Sequence, residues 1–207
     1  MTGDWIMHAK LMNRSCFSRL VILLCVFILG ASGILLASDL SDATAMRQKC
    51  EEEFKALDTT VKNFGNPFVK RRYEDAAVML KEGKLCLAQS KYKEAMEIYK
   101  KYMILNNEIY KDLSVDYINR ADTMYNDTAK ELVDYYDNEK VSHYFRLAKQ
   151  NVDDARKAAS ANNYKLAIDL CRNSKKYSIE SYRIAGQPVP DKYKKDIKDN
   201  NKELYQE

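Results

Sequence analysis

SKYKEAM at residues 90–96 and NNYKLAI at residues 162–168 are two copies of one pattern, and their tyrosines stand 72 residues apart. Each copy lies between two stretches whose apolar residues recur every three or four positions, which is the spacing of an amphipathic helix. Each copy therefore predicts the turn of a helical hairpin. We expect Tyr92 and Ala95 in the first hairpin, and Tyr164 and Ala167 in the second, to pack the helices together, a role that needs no ligand.

Glycine and proline divide the rest of the chain. Clear breaks occur at residues 65–67 and 186–190, and neither residue type occurs between Lys84 and Ala185. Such a stretch, rich in Ala, Lys, Glu, Leu and Tyr, is typical of helix, and no stretch alternates as a strand does. The fold class is therefore all-α. The predicted helices are 41–63, 68–88, a long helix from Tyr92, 141–160, 164–185 and a short tail helix after Pro190.

The apolar spacing that follows Tyr92 continues to Tyr135 without losing phase. Two interpretations stay open: one helix of about 45 residues, or two helices broken at Asn106-Asn107. Because the phase passes this asparagine pair, we favour one long helix, which at 1.5 Å per residue would span about 65–70 Å. The expected molecule is an elongated helical bundle in which a long helix joins the two hairpins.

The first 37 residues are expected to lie outside this bundle. Basic residues precede an apolar run at 20–37, which is the arrangement of an export signal. Cleavage before Ser38 and retention as a membrane anchor both stay open, as does a start at Met12 in place of Met1. Both alternatives export the helical body, residues 38–186, together with a proline-linked tail at 187–207.

The charge of the exported part is nearly balanced. Residues 38–207 carry 31 basic and 29 acidic side chains, which argues against a dedicated nucleic-acid-binding protein. The expected partners are other envelope proteins or further copies of this chain. Contact with a membrane is expected only through the N-terminal segment, if that segment is not cleaved.

Tyrosine is unusually frequent, and all 15 tyrosines lie at or after Tyr73. At helical spacing a tyrosine ordinarily packs its ring at the edge of the core and keeps its hydroxyl in water. Tyrosine is also favoured at protein interfaces. Some tyrosines of the long helix must be core residues, and the candidates for partner contact are Tyr110, Tyr117, Tyr125, Tyr135 and Tyr136.

Three cysteines follow the leader: Cys50, Cys86 and Cys171. Export permits disulfides, and an odd number leaves one cysteine over. Three interpretations stay open: three small buried residues, one internal disulfide, or a disulfide to another chain, for which Cys50 is the candidate.

The sequence offers little enzymatic chemistry. His143 is the single histidine after the leader and follows a predicted turn, where a solvent-facing or capping role is expected. No Cys/His cluster has the spacing of metal ligands, the Glu-x-x-His pairs of diiron bundles are missing, and there is no glycine-rich phosphate loop. We therefore expect no catalytic residue, no metal and no cofactor.

The tail helix alternates lysines with acidic residues, among them Asp196 and Asp199. Mixed charges at these spacings are typical of a solvated face with local ion pairs, which is the interpretation we favour. A contact with anionic lipid or with an acidic partner is the alternative.

The first hairpin resembles the tetratricopeptide repeat in its spacing of Gly83, Tyr92, Ala95 and Tyr99. The chain departs from that family in its period, which is 72 residues where the family has about 34. It also lacks the closing proline in both copies. The second hairpin repeats the spacing with Ala155, Tyr164, Ala167 and Cys171.

The chain also resembles small helical-hairpin proteins of bacterial envelopes and, more weakly, the flagellar coiling and sheath proteins of spirochaetes. These resemblances imply an exported, non-enzymatic structural or protein–protein interaction protein of the bacterial periplasm, with a flagellar component as a narrower version. The alternative is a tetratricopeptide-like envelope-assembly factor that binds client peptides. A groove lined by Tyr and Asn would favour the alternative, and a flat exposed stripe would favour the first hypothesis.

Overall fold

A computed structural model describes residues 38–200, and this part of the chain is an all-α bundle without a β-strand. The predicted fold class is confirmed. Two short 3₁₀ turns, Val133–Tyr135 and Asp191–Tyr193, accompany the helices. The helices are α1 (38–64), α2 (Pro67–Ala88), α3 (Tyr92–Glu131), α4 (Glu139–Ser160), α5 (Tyr164–Ile184) and α6 (Lys194–Asn200).

The predicted long helix is α3, an uninterrupted helix of 40 residues. It passes the Asn106-Asn107 pair without a break. Asn106 is buried and accepts a hydrogen bond of 3.5 Å from the hydroxyl of Tyr102, one turn earlier. At 1.5 Å per residue α3 is about 60 Å long. The helix ends at Glu131, four residues before Tyr135, where the predicted apolar spacing ends.

The two hairpin turns have the same backbone conformation. Ser90 has a φ of 58° and Asn162 a φ of 60°, so each turn contains one residue in the left-handed region. In both turns the next residue donates its backbone N–H, over 2.9 Å, to the carbonyl five residues before it. The 72-residue repeat therefore extends from the side chains to the backbone hydrogen bonds of the turns.

Small residues bring the helices of each hairpin close together. Ala95 and Ala167 are fully buried where α2 packs on α3 and α4 packs on α5. Tyr164 is buried at the start of α5, and Tyr92 is half-buried at the start of α3. Helix α3 also contacts α4 and α5, so it is shared by both hairpins.

Helix α1 lies along the first hairpin and reaches the second. The ring of Phe54 stacks on Tyr73 of α2 with centroids 4.4 Å apart. At the end of α1, Phe64 meets the ring of Tyr117 edge-on at 5.2 Å. Cys50 is fully buried against α3. Helix α1 therefore covers the first hairpin and then ends at the level of Tyr117, well before the end of α3.

The C-terminal tail covers the faces of α3 and α5 that lie beyond the end of α1. Gly186, with a φ of 67°, ends α5, as expected for a glycine at this position. Tyr193 then packs with Met124 and Ile179. The prediction of a solvated tail face is wrong for Asp196 and Asp199, which are 0% and 2% exposed. Local charge alternation could not reveal the cations of other helices that these carboxylates meet.

No helix within residues 38–200 is long and apolar enough to cross a membrane. The predicted export signal or anchor at 1–37 lies outside the described residues, as do the last residues of the predicted tail.

Candidate functional site

A groove of about 640 Å³ runs between α1 and α5. Its floor is Tyr110 of α3, and the apolar parts of its walls are Ala56 of α1 and Ile168 of α5. Polar and charged side chains stand around these three residues. The remaining lining residues are Glu52, Glu53, Lys55, Thr59, Thr60, Lys165, Asp169, Arg172 and Asp199.

One side-chain bridge between α1 and α5 closes each end of the groove. At the first end Lys165 donates to the carboxylate of Glu53, and its ammonium lies 5.0 Å from the centre of the Tyr110 ring. At the other end the guanidinium of Arg172 donates to Oγ1 of Thr60 over 2.8 Å. These bridges link the two helices on either side of the groove, and the Lys165 ammonium lies over the edge of the groove at Tyr110.

The groove has the character of a recognition site for a side chain with an apolar body. Its volume falls within the roughly 300–1,000 Å³ of ordinary ligand pockets. Burial raises the pKa of the Tyr110 hydroxyl, with a smaller contribution from Glu53 in the same direction, so the floor is a neutral phenol. Basic and acidic residues alternate on the rim, and no single sign of charge dominates it.

A second polar cluster lies where the tail meets the bundle. We call the receiving residues the tail socket: Phe64, Tyr117, Arg120, Arg172 and Lys175. They come from α1, α3 and α5, and Lys175 is completely buried. Its ammonium lies 4.4 Å from the centre of the Phe64 ring and 4.6 Å from that of Tyr117. A buried ammonium between two aromatic faces still requires an anion.

Two aspartates of the tail helix, Asp196 and Asp199, supply this negative charge. The ammonium of Lys175 lies 3.0 Å from Oδ1 of Asp196 and 2.9 Å from Oδ2 of Asp199. Arg120 binds Asp196 with two nitrogens, Nε at 2.7 Å and Nη2. The hydroxyl of Tyr117 donates to Asp199 over 2.9 Å. Nε of Arg172 lies 3.5 Å from Oδ2 of Asp199. The two aspartates, three residues apart on α6, therefore face three cations of the socket.

The electrostatics of Asp199 show that this pairing outweighs desolvation. Burial by itself would raise the pKa of the Asp199 carboxyl, but Lys175 and Arg172 act against it, and the pKa lies below its ordinary value. Asp199 is therefore ionised in the folded protein. Both Arg172 and Asp199 also line the groove, so the socket and the groove share one wall.

The predicted contact tyrosines occupy different environments. Tyr117 is 1% exposed and belongs to the socket, and Tyr110 is 7% exposed and forms the groove floor. Tyr125 and Tyr135 are half-buried. Tyr136 is 41% exposed and meets the ring of Phe145 edge-on. The structure does not bring the five together, because they project from α3 and the turn after it in different directions.

The groove lining contains neither a cysteine nor a histidine. Cys50, Cys86 and Cys171 are unpaired, and Cys50 and Cys171 are fully buried. Burial raises the pKa of the Cys50 thiol to about 11 and that of Cys171 to about 12. His143 is exposed near the start of α4. Within residues 38–200 no group of three or more His, Cys, Asp or Glu side chains is arranged to hold a metal ion.

Sequence reasoning missed both the groove and the socket. The contacts that build them join residues 21 to 112 positions apart, so no local pattern could indicate them. One signal was present: Tyr193, Asp196 and Asp199 follow a three-residue spacing that places them on one face of the tail helix.

No protein-family model, curated protein or solved structure matches this chain.

Proposed function

We propose that this chain is an exported, non-enzymatic protein–protein interaction protein of the bacterial envelope, and that it takes a segment of a partner protein into the groove between α1 and α5. The observation that supports this proposal is the open groove with Tyr110 as its floor. The flagellar version of the proposal adds one expectation, that the chain co-purifies with flagella.

The groove favours binding of a peptide segment over contact along a flat stripe. An aromatic or aliphatic side chain would cover Ala56, Ile168 and Tyr110, and a few such buried anchors carry most of the free energy of an interface. Lys165 and Arg172 stand seven positions apart on α5, about 10 Å along the helix axis. They can hold polar groups of the same segment on either side of the anchor. The groove lining contains Tyr but no Asn, so it matches the client-binding hypothesis in part.

Site-specific photo-crosslinking in the native cell tests the proposal. The crosslinking residue replaces Lys55 or Thr59 in the groove, with Glu74 on the outer side of α2 as the control position. We expect a crosslinked protein from the groove positions that the control position does not yield.

A matched pair of substitutions makes the experiment specific. Ala56→Trp fills the groove, and Ala88→Trp adds the same side chain at an exposed position at the end of α2. Ala56→Trp should abolish the crosslink and Ala88→Trp should leave it. Equal crosslinking in both variants, or the same products from groove and control positions, would rule out the groove as the binding site.

A further inference from the structure

The tail socket is a complete binding site whose occupant is attached by a short connection. Phe64, Tyr117, Arg120, Arg172 and Lys175 come from helices that precede the tail, and residues 186–190 join the tail to α5. Lys175 is fully buried, and within residues 38–200 it forms ion pairs with the tail aspartates Asp196 and Asp199. The socket therefore depends on an acidic helix for its charge balance.

Recognition of the tail extends beyond these two carboxylates. Asp127 of α3 accepts hydrogen bonds from the hydroxyl of Tyr193 at 2.5 Å and from the ammonium of Lys192 at 2.7 Å. The backbone carbonyl of Lys192 in turn accepts a bond of 3.0 Å from Arg120. The bundle therefore contacts both positive and negative side chains of the tail at fixed positions. Another segment would bind in the same way only if it carried the same side chains at the same spacing.

We propose that the tail of a second copy of this chain can occupy the socket, so that two molecules exchange their tails. A second copy brings every group that the socket contacts, at the same spacing. The connection supports the exchange because it is short: Gly186 follows the end of α5, and residues 187–190, which include Pro188 and Pro190 with their restricted φ, lead to the tail. Exchange of an identical element through such a hinge is a low-cost route to a dimer.

The exchanged form is a closed dimer. If each molecule gives its tail to the other, both sockets are filled, and the arrangement has two-fold symmetry with no unsatisfied site. The socket contacts are the same in monomer and dimer, so the equilibrium depends on the connection and on concentration. A tethered tail competes at an effective concentration in the millimolar range, which keeps the dilute protein monomeric. This inference rests on the socket and not on the groove.

Charge exchange between two full-length variants tests the proposal. Lys175→Glu reverses the charge of the socket, and Asp199→Lys reverses the charge of the tail. Each variant opposes docking of its own tail. When the two are mixed, the unchanged tail of the first fits the unchanged socket of the second, and the changed pair is again opposite in charge.

We expect each variant alone to be monomeric and the mixture to form a 1:1 dimer, as measured by size-exclusion chromatography with light scattering. Lys149→Glu, at an exposed position on α4, replaces Lys175→Glu in the control mixture, which should give no dimer. A mixture of the charge-exchange variants that remains monomeric, while circular dichroism shows both to be folded, overturns the proposal.

A deletion variant tests tail exchange if either charge reversal prevents folding. Deletion of residues 187–189 from the otherwise unchanged chain makes the connection too short for the tail to reach its own socket. The proposal requires this variant to be a dimer, and a monomer contradicts it. Because both experiments use the purified chain alone, their outcome is independent of the crosslinking that tests the groove.

Discussion

Gly83 of α2 lies directly against the ring of Tyr99 of α3. A Cβ atom at Gly83 would come within 2.4 Å of Cε1 and 2.7 Å of Cζ of that ring, and Tyr99 is completely buried. Gly83→Ala should lower the free energy of unfolding by about 1–2 kcal/mol, since the cost of overpacking exceeds the gain in helix propensity. Chemical denaturation monitored by circular dichroism measures the change.

A double-mutant cycle identifies the cause of that loss. In a Tyr99→Leu background the ring is gone, so Gly83→Ala should cost nothing or should stabilise the helix. The same loss in both backgrounds would show that the ring is not responsible.

Ser90 is a non-glycine residue in the left-handed region, with a φ of 58°. An L-residue with a side chain is strained there, and glycine is not. Ser90→Gly should therefore raise the free energy of unfolding by about 0.5–1 kcal/mol, after allowance for the greater freedom of glycine in the unfolded chain. Thermal and denaturant unfolding provide the measurement.

Asn162 is the matched position in the second hairpin. Asparagine tolerates the left-handed region better than serine does, and Oδ1 of Asn162 accepts a hydrogen bond of 2.7 Å from Tyr164. Asn162→Gly should consequently stabilise less than Ser90→Gly, or should destabilise. A larger gain at Asn162 would contradict this account of the turns.

At the scale of the element, charge holds α6 on the bundle. The pKa of Asp199 lies below its ordinary value because Lys175 and Arg172 stabilise the carboxylate against the opposing effect of burial. A carboxyl with a lowered pKa in the folded state adds stability above its ordinary pKa and loses it as the pH falls. The tail contact should therefore weaken below about pH 4.

Hydrogen exchange of the α6 amides measures this weakening. Between pH 6 and pH 3, exchange in α6, corrected for the intrinsic rate, should accelerate more than exchange in the middle of α2. Asp199→Asn should make exchange in α6 rapid already at pH 6, because an uncompensated buried cation costs several kcal/mol. Equal acceleration in α2 and α6 would indicate global unfolding and contradict a separate tail contact.

At the scale of the whole molecule, α3 joins the two hairpins. It contacts α2, α4 and α5, and Asn107 lies exposed near its middle. Asn107→Pro removes one helical hydrogen bond and introduces a clash with the preceding turn, which costs about 3 kcal/mol or more. The variant should unfold at a lower temperature, and small-angle X-ray scattering should show a changed maximum dimension.

Asn107→Ala is the control for this prediction. It leaves the backbone hydrogen bond in place and improves helix propensity slightly, so the unfolding temperature and the scattering profile should stay close to those of the unchanged chain. If proline and alanine had the same effect, the continuity of α3 would not be what sets the shape of the molecule.

Local patterns were sufficient to predict most of the elements. Apolar spacing and the positions of glycine and proline predicted the helices and both hairpin turns, with α3 continuous through Asn106. Each of these features depends on residues within one or two turns of each other. The groove, the burial of Tyr110 and Tyr117 and the direction of the tail were not predicted, because each depends on which helices meet.

The sequence alone thus determined that this chain is helical, where its helices turn, and that Tyr92 and Tyr164 occupy equivalent places 72 residues apart. The tertiary structure decided which charges are buried. Asp196 and Asp199 look like solvent-facing residues in the sequence, but α6 directs them towards Lys175, Arg120 and Arg172. A carboxylate is buried where distant cations compensate its desolvation, and only the packing of α1, α3 and α5 brings those cations to one place.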